Sequence, residues 1–267
     1  MSITIKSDRE LDLMRRAGRV VANALSELRD SARAGMTTRE LDALAEAAIR
    51  RQGGEPAFPY INDFPGSMCV SVNEEVVHGI PGKRVLRDGD IVKFDIGAIV
   101  DGYHGDAAIT VPIGTVGEDA QRLIEATENA LRVGIEVVQP GAHLNDIGAA
   151  IERFMQPLGF SVVREYVGHG IGQELHEEPS VHHFRQATRG PRLRAGMVLA
   201  IEPMVNAGTY RTRVLKDGWT VVTQDRRLSA QFEHTVAVTQ DGWEILTLPS
   251  EKSRAWSIPF QLANVVH

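Results

Sequence analysis

Asp95, Asp106, His169, Glu202 and Glu233 form, in chain order, a set of hard donors: four carboxylates and one imidazole. Such donors suit divalent first-row metals rather than a thiolate-held cluster. Two ions that share carboxylates can activate a water molecule for hydrolysis. Each of the five residues lies in or beside a glycine-rich or strand-like segment.

The stretch IVKFDIGAIVDGYHGDAAITV (91–111) contains Asp101-Gly102 between two strand-like runs. That dipeptide is a strong two-residue hairpin turn. With that turn, Asp95 lies opposite Ala108 and Gly97 opposite Asp106, so the two aspartates sit diagonally on one face. Like charges on one face repel, and bound cations reverse that cost. Alone, the pair reads equally as two solvated aspartates. Asp101 is explained by the turn itself. His104 shares the ligand face and is read as a supporting or core histidine.

The other donors come from the second half of the chain. In VGHGIGQELHEEP (167–179), glycines frame His169, and small neighbours allow close approach of backbone and metal. Glu202 ends an apolar run in GMVLAIEPM (196–204), and Glu233 does the same in SAQFEHTVAV (229–238). A carboxylate at the end of a buried strand needs a partner, because an unpaired buried charge is costly. His234 points to the opposite face of its strand and is not counted. Glu174, Glu177 and Glu178 read as solvated or structural charges.

The elements that must position these donors repeat. Helical spacing of apolar residues marks 8–30 and 37–51, and again 118–138 and 143–156. Gly35 matches Gly141. Leu41, Glu46 and Gly53 match Ile147, Glu152 and Gly159. LRDGDIVKFD (86–95) resembles LRAGMVLAIE (193–202), which sets Asp95 on Glu202. The offset, about 106 residues, is too long for a solenoid repeat. The expected architecture is therefore α+β: two similar halves, about 8–115 and 117–249, packed about a pseudo-twofold axis. Segments 68–72, 90–100, 103–112, 197–205, 219–223 and 232–239 are expected as strands, paired antiparallel. The whole chain, 1–267, reads as one catalytic domain, with a C-terminal extension at 250–267.

The bulk properties exclude several classes. The chain has 267 residues, 43% of them apolar, and a net charge of −6, which argues against a DNA-coating protein. Cys69 is the only cysteine, so an intrachain disulfide cannot form and a reducing compartment fits. The N-terminus MSITIKSDRE lacks the apolar core of a signal peptide, and no run is long enough to span a bilayer. A cytoplasmic protein, monomeric and without membrane contact, is expected.

With these residues in view, the chain resembles the type I methionine aminopeptidases. NEEVVHGIP (73–81), DIGAIVDGYHGD (95–106), GHGIGQELHEEP (168–179), IEPM (201–204) and DGWTVVTQDRRLSAQFEHTV (217–236) match that family's motifs across about residues 8–249. The resemblance implies a pita-bread fold whose two α+β halves enclose a dinuclear metal centre. It implies that Asp106 and Glu233 bridge two ions, that Asp95 completes one sphere, and that His169 and Glu202 complete the other. It implies a catalytic set of His78, His176 and Glu202, the two histidines contacting peptide and oxyanion. The methionine pocket then falls on Phe58, Ile61, Phe64, Cys69, His78, Leu175, His176 and Trp219. A Na or K ion held near Asn73, Glu75 and Ser229 is a further implication. The divalent ions expected of an oxygen-rich set are Mn(II), Fe(II) or Co(II), with Zn(II) also admissible.

The sequence departs from the family at Phe64, where tyrosine is usual, and at Leu175, where an aromatic residue is common. The short form, without an N-terminal zinc-binding extension, is the form expected, and the second half carries no large insertion of the type II kind. The implied substrate is the N-terminal methionine of nascent polypeptides and peptides, removed when the second residue is small. Arg185, Arg189, Arg192 and Arg194 read first as a solvated loop and second as a transient contact with the ribosome.

Overall fold

The computed structural model describes residues 2–248; the expected extension at 250–267 lies outside the described residues. Four α-helices form where the apolar spacing is helical: α1 (Asp8–Ser31), α2 (Thr38–Arg51), α3 (Glu118–Glu136) and α4 (Asp146–Met155). Both helices of the first half open on capping boxes, Ser7 with Glu10 and Thr37 with Glu40. Each box satisfies backbone N–H groups that the first turn leaves without partners. The fourth helix starts three residues later than its apolar pattern suggests. His143 is held extended there by a bridge to Arg192.

The strands pair antiparallel throughout, as expected. The expected strand at 197–205 is two strands, Val198–Ile201 and Met204–Asn206. The break falls at Glu202-Pro203, where proline has no N–H to continue a ladder. Short strands such as Gly168–Gly170 and Ser229–Gln231 lie in stretches whose sequence shows no alternation.

The order of the main sheet carries the repeat. Ile91–Val100 pairs with Tyr103–Pro112, which pairs with Glu233–Val238, which pairs with Val198–Ile201. The two central strands come from different halves, and the strands outside them are the matched segments LRDGDIVKFD and LRAGMVLAIE. Matched glycines adopt matched left-handed turns: Gly35 and Gly141 at φ 92° and 88°, Gly53 and Gly159 at 78° and 76°, Gly89 and Gly196 at 89° and 88°. Side chains would be strained at such angles, so each turn depends on its glycine.

The helices of each half cover that half's strands. Val21, Leu25, Leu41 and Ile49 pack with Phe94 and Ile96. Leu123, Leu131, Ile147 and Ile151 pack with Leu199, Ile201 and Val236. Helix α1 passes close over the sheet at Gly105, where an added Cβ would sit 2.7 Å from the Gly18 nitrogen and 2.8 Å from the Ala17 carbonyl carbon. No helix among the described residues is long and apolar enough to cross a membrane.

Gly105 neighbours Asp106, so this contact sets how the helix lies over the functional strand. Gly105→Ala is expected to lower the unfolding free energy by about 1–3 kcal/mol, the usual cost of forcing extra volume into a packed contact. Chemical denaturation of both proteins measures it; an unchanged midpoint would show that helix and strand separate freely.

Candidate metal centre

The hairpin closes on Asp101-Gly102, both in left-handed conformation at φ 49° and 79°, with Val100 paired to Tyr103. Two positive φ values at a two-residue loop are what a type I′ turn requires. The register follows: Asp95 faces Ala108 and Gly97 faces Asp106. Strand alternation then sets Lys93, Asp95 and Gly97 on one face with Asp106, Ala108 and Thr110.

Glu233 opens the neighbouring strand opposite Ala108. His169 sits opposite Ala200 on the strand beyond, two residues before Glu202. A single cavity is lined by Asp95, Asp106, His169, Glu202 and Glu233. Ligand atoms of Asp106, His169 and Glu233 lie within 4.8 Å of one another. The Nε2 of His169 is 3.9 Å from both an Asp106 oxygen and a Glu202 oxygen.

The electrostatics of this cluster are unfavourable as the chain stands. Burial, and then repulsion from the other carboxylates, pushes the pKa of Asp106, Glu202 and Glu233 well above the usual range. Burial also raises Asp95, with the Gln231 amide opposing. Burial followed by the nearby His176 pushes His169 down to about 3. Its Nδ1 lies 2.9 Å from the Gly170 carbonyl. A carbonyl only accepts, so Nδ1 carries the proton and Nε2 presents its lone pair to the carboxylates. Lone pair faces lone pair at 3.9 Å. Asp106 Oδ1 and Glu233 Oε1 are buried without a hydrogen-bond partner. Buried acceptors converging with no donor between them fit divalent cations.

Surrounding groups fix the donors. Thr235 Oγ1 donates to the Asp106 carbonyl at 2.7 Å and accepts from the Asp106 N–H at 3.0 Å. Gln231 Nε2 donates to Asp95 at 3.2 Å. Thr110 Oγ1 accepts from the Gln231 N–H and donates to the Gln231 carbonyl. His183, buried, accepts the Glu202 N–H at Nε2, 3.0 Å away.

The same cavity is lined by Phe58, Ile61, Phe64, Cys69, His78, Leu175, His176 and Trp219. Phe64 stands edge-on to Phe58 and to Trp219, with ring centres 6.2 and 5.1 Å apart. Burial and the acidic neighbours Asp95 and Asp106 hold the Cys69 thiol well above its ordinary pKa, so it is an apolar wall group. The rings of His176 and His169 are 4.4 Å apart. His78 adopts a left-handed backbone, φ 58°, and its ring stands edge-on to Trp219. A non-glycine residue in that region stores strain, and such strain gathers at functional sites. His104 is buried outside the cavity, its ring facing the Gly172 carbonyl at 3.3 Å. His234 is bonded to Thr247, away from the cluster.

Asn73, Glu75 and Ser229 lie apart from the cavity. The carbonyls of Asn73 and Ser229 both accept from Lys93 Nζ, each at 2.8 Å. The Glu75 carboxylate accepts from the Val72 N–H and pairs with Arg84. Burial lowers the pKa of Lys93 from its ordinary value, opposed by the nearby Glu75 carboxylate.

Lys93, Gln231, Thr235 and His183 escape the sequence reading. Lys93 and Gln231 each stand two residues before a donor, and alternation alone marks them as sharing its face. Nothing local marks His183. A larger cavity, about 830 Å³, lies between α4 and residues 185–189. Its carboxylates are already paired, Asp146 with Arg189 and Glu152 with Arg164. Arg192 is tied back to the Gly141 carbonyl.

Comparison with known proteins agrees with this geometry. The model of metallopeptidase family M24 matches residues 12–240. Methionine aminopeptidase 1 of Bacillus subtilis is 53% identical over 245 residues, covering 92% of this chain and 99% of that protein. The methionine aminopeptidase of Clostridium perfringens is 50% identical, with coverage of 92% and 99%. The crystal structure of the methionine aminopeptidase from Rickettsia prowazekii superposes with a TM-score of 0.91 at 44% identity, covering 92% of this chain and all of that one. Two matched α+β halves, sharing one antiparallel sheet around buried carboxylates, are therefore the pita-bread fold, and the chain belongs to metallopeptidase family M24, among the type I methionine aminopeptidases.

Proposed function

We propose that the cavity is the catalytic centre of an aminopeptidase that removes an N-terminal methionine when the second residue is small. The observation that carries this reading is the union, in one cavity, of unpartnered buried carboxylate oxygens with an apolar aromatic wall. In this reading Asp106 and Glu233 would be shared by two divalent ions, with Asp95 serving one of them and His169 and Glu202 the other. Bound there, the ions supply Lewis-acid polarisation of the scissile carbonyl and activation of a water molecule. Co, Mn, Fe and Zn all accept such a donor set.

The remaining work falls to the chain's own residues. Phe58, Ile61, Phe64, Cys69, Leu175 and Trp219 enclose the methionine side chain. Burying an unbranched thioether there stabilises the complex by about 1.5–3 kcal/mol. His78 is held down to about 4 by burial and by His176, so it is neutral at pH 7 and offers an N–H donor. His176 is lowered in the same direction by burial and by His104. These two histidines orient the peptide and stabilise the oxyanion. Glu202, more exposed than the other three carboxylates, is the group placed to take the proton that hydrolysis frees. Nascent polypeptides and short peptides are the substrates.

Asp106→Asn and Glu233→Gln keep size and remove charge from the residues assigned to both ions. Each is expected to lose bound metal and turnover together, read by elemental analysis and peptide assay. Near-normal metal content with near-normal turnover would sink the assignment.

The histidines separate into two kinds. His169→Ala is expected to weaken metal binding. His78→Ala and His176→Ala are expected to keep their metal while kcat falls by roughly 10²-fold, the scale of one lost oxyanion donor. Metal stripped by His176→Ala but retained by His169→Ala would reverse the roles.

Substrate choice is tested with Met-X-Ser peptides, X running from Gly to Arg, beside Leu-Ala-Ser and acetyl-Met-Ala-Ser. Small X with a free amine is expected to be cleaved, and the acetylated peptide to resist. Equal kcat/KM for Met-Ala-Ser and Leu-Ala-Ser would refute the methionine pocket. Rapid cleavage of Met-Arg-Ser would refute the second-residue limit alone.

A further inference from the structure

Lys93 is fully buried on the strand Ile91–Val100, two residues before Asp95. Its Nζ donates to two main-chain carbonyls, Asn73 from one half and Ser229 from the other, both at 2.8 Å. The Asn73 carbonyl also accepts the Ser229 N–H at 3.1 Å, so the two segments already touch where the ammonium joins them. The Glu75 carboxylate is turned to other donors, the Val72 N–H on one oxygen and Arg84 on the other. Backbone carbonyls converging from separate segments are the donor set of a monovalent cation, because each offers a hard oxygen with partial negative charge. An ammonium group is close to a potassium ion in size and takes the same donors.

We infer that the Lys93 side chain is a cation built into the chain, which takes the place of the Na or K ion implied by the family resemblance and clamps the two halves beside the carboxylate cluster. The Asn73 and Ser229 carbonyls that a free ion would need are taken by an ammonium group, so the residues present do not fit one. The clamp acts on the site through position. Ser229 lies two residues before Gln231, whose amide holds Asp95, and four before Glu233. Lys93 lies two before Asp95 on the same face. The ammonium–carbonyl contacts therefore sit one pleat away from the amide–carboxylate contact, on the same two segments. Lys93 is a positioning residue, and it touches neither substrate nor ligand atoms.

The test uses the full-length, Mn(II)-loaded protein in KCl, NaCl and tetramethylammonium chloride at one pH and ionic strength. Tm is read by calorimetry, beside kcat/KM on Met-Ala-Ser. The wild-type protein is expected to show one Tm in all three salts and rates within twofold. Lys93→Ser frees the carbonyls and opens room for an ion. Its Tm is expected to fall in tetramethylammonium and to recover saturably with K or Na. Lys93→Met keeps the stem and removes the charge, and its Tm is expected to fall in every salt. A wild-type Tm that rises saturably with K or Na over tetramethylammonium would overturn the inference. So would a wild-type Tm for either variant in tetramethylammonium. Should a variant fail to fold, the wild-type salt comparison still decides. The Tm arm is independent of the aminopeptidase reading, so failure of one is distinguishable from failure of the other.

Discussion

Four carboxylates share one buried cavity, and the rest of the site answers to their mutual repulsion. Burial raises the proton affinity of all four, repulsion between carboxylates adds to it at Asp106, Glu202 and Glu233, and two of their oxygens have no hydrogen-bond partner. No arginine or lysine lines the cavity. His169 cannot serve as the missing cation, because burial keeps it neutral and its lone pair faces the acids. Divalent ions bound among these groups would relieve the repulsion and hold the carboxylates in their charged form.

The sheet meets this constraint through its symmetry. Asp106 and Glu233 lie on the two central strands, and Asp95 and Glu202 end the matched segments outside them. Each half therefore brings one inner and one outer carboxylate. A carboxylate on the inner face of a strand weakens that strand taken alone, and the cost is offset by Phe94, Ile96, Leu199 and Ile201, which point to the helix-covered cores. The apolar cores make the sheet strong enough to hold charges that its local sequence resists.

Much of this was legible in the sequence because it was local. Asp101-Gly102 fixed the hairpin register, and one register decides which side chains share a face. The repeat was visible in glycines whose left-handed turns tolerate no other residue well. Elements of two or three residues were not legible, since Gly168–Gly170 and Ser229–Gln231 are too short to show a period. The expected strand through Glu202 failed at Pro203, a breaker in plain view that an apolar run outweighed. His183 could not be found at all, because it follows the strand Glu177–Val181 and meets Glu202, which follows the strand Val198–Ile201, so the contact joins two irregular positions and leaves no pattern in either.

The matched segments also differ where their functions diverge. In the alignment that sets Asp95 on Glu202, Lys93 falls on Ala200. Ala200 stands opposite His169, and its small side chain leaves space on that face for the imidazole to reach the cluster. At the equivalent place in the first half, Lys93 fills the face and reaches outward to Asn73 and Ser229. One position of a duplicated strand therefore separates the two ends of the site. A small residue admits a neutral nitrogen donor beside Glu202, while a long cationic one ties the halves together beside Asp95. The two ends of the carboxylate cluster are thus chemically unlike, with a nitrogen donor beside Glu202 and only oxygen beside Asp95, although the strands that bear them are copies.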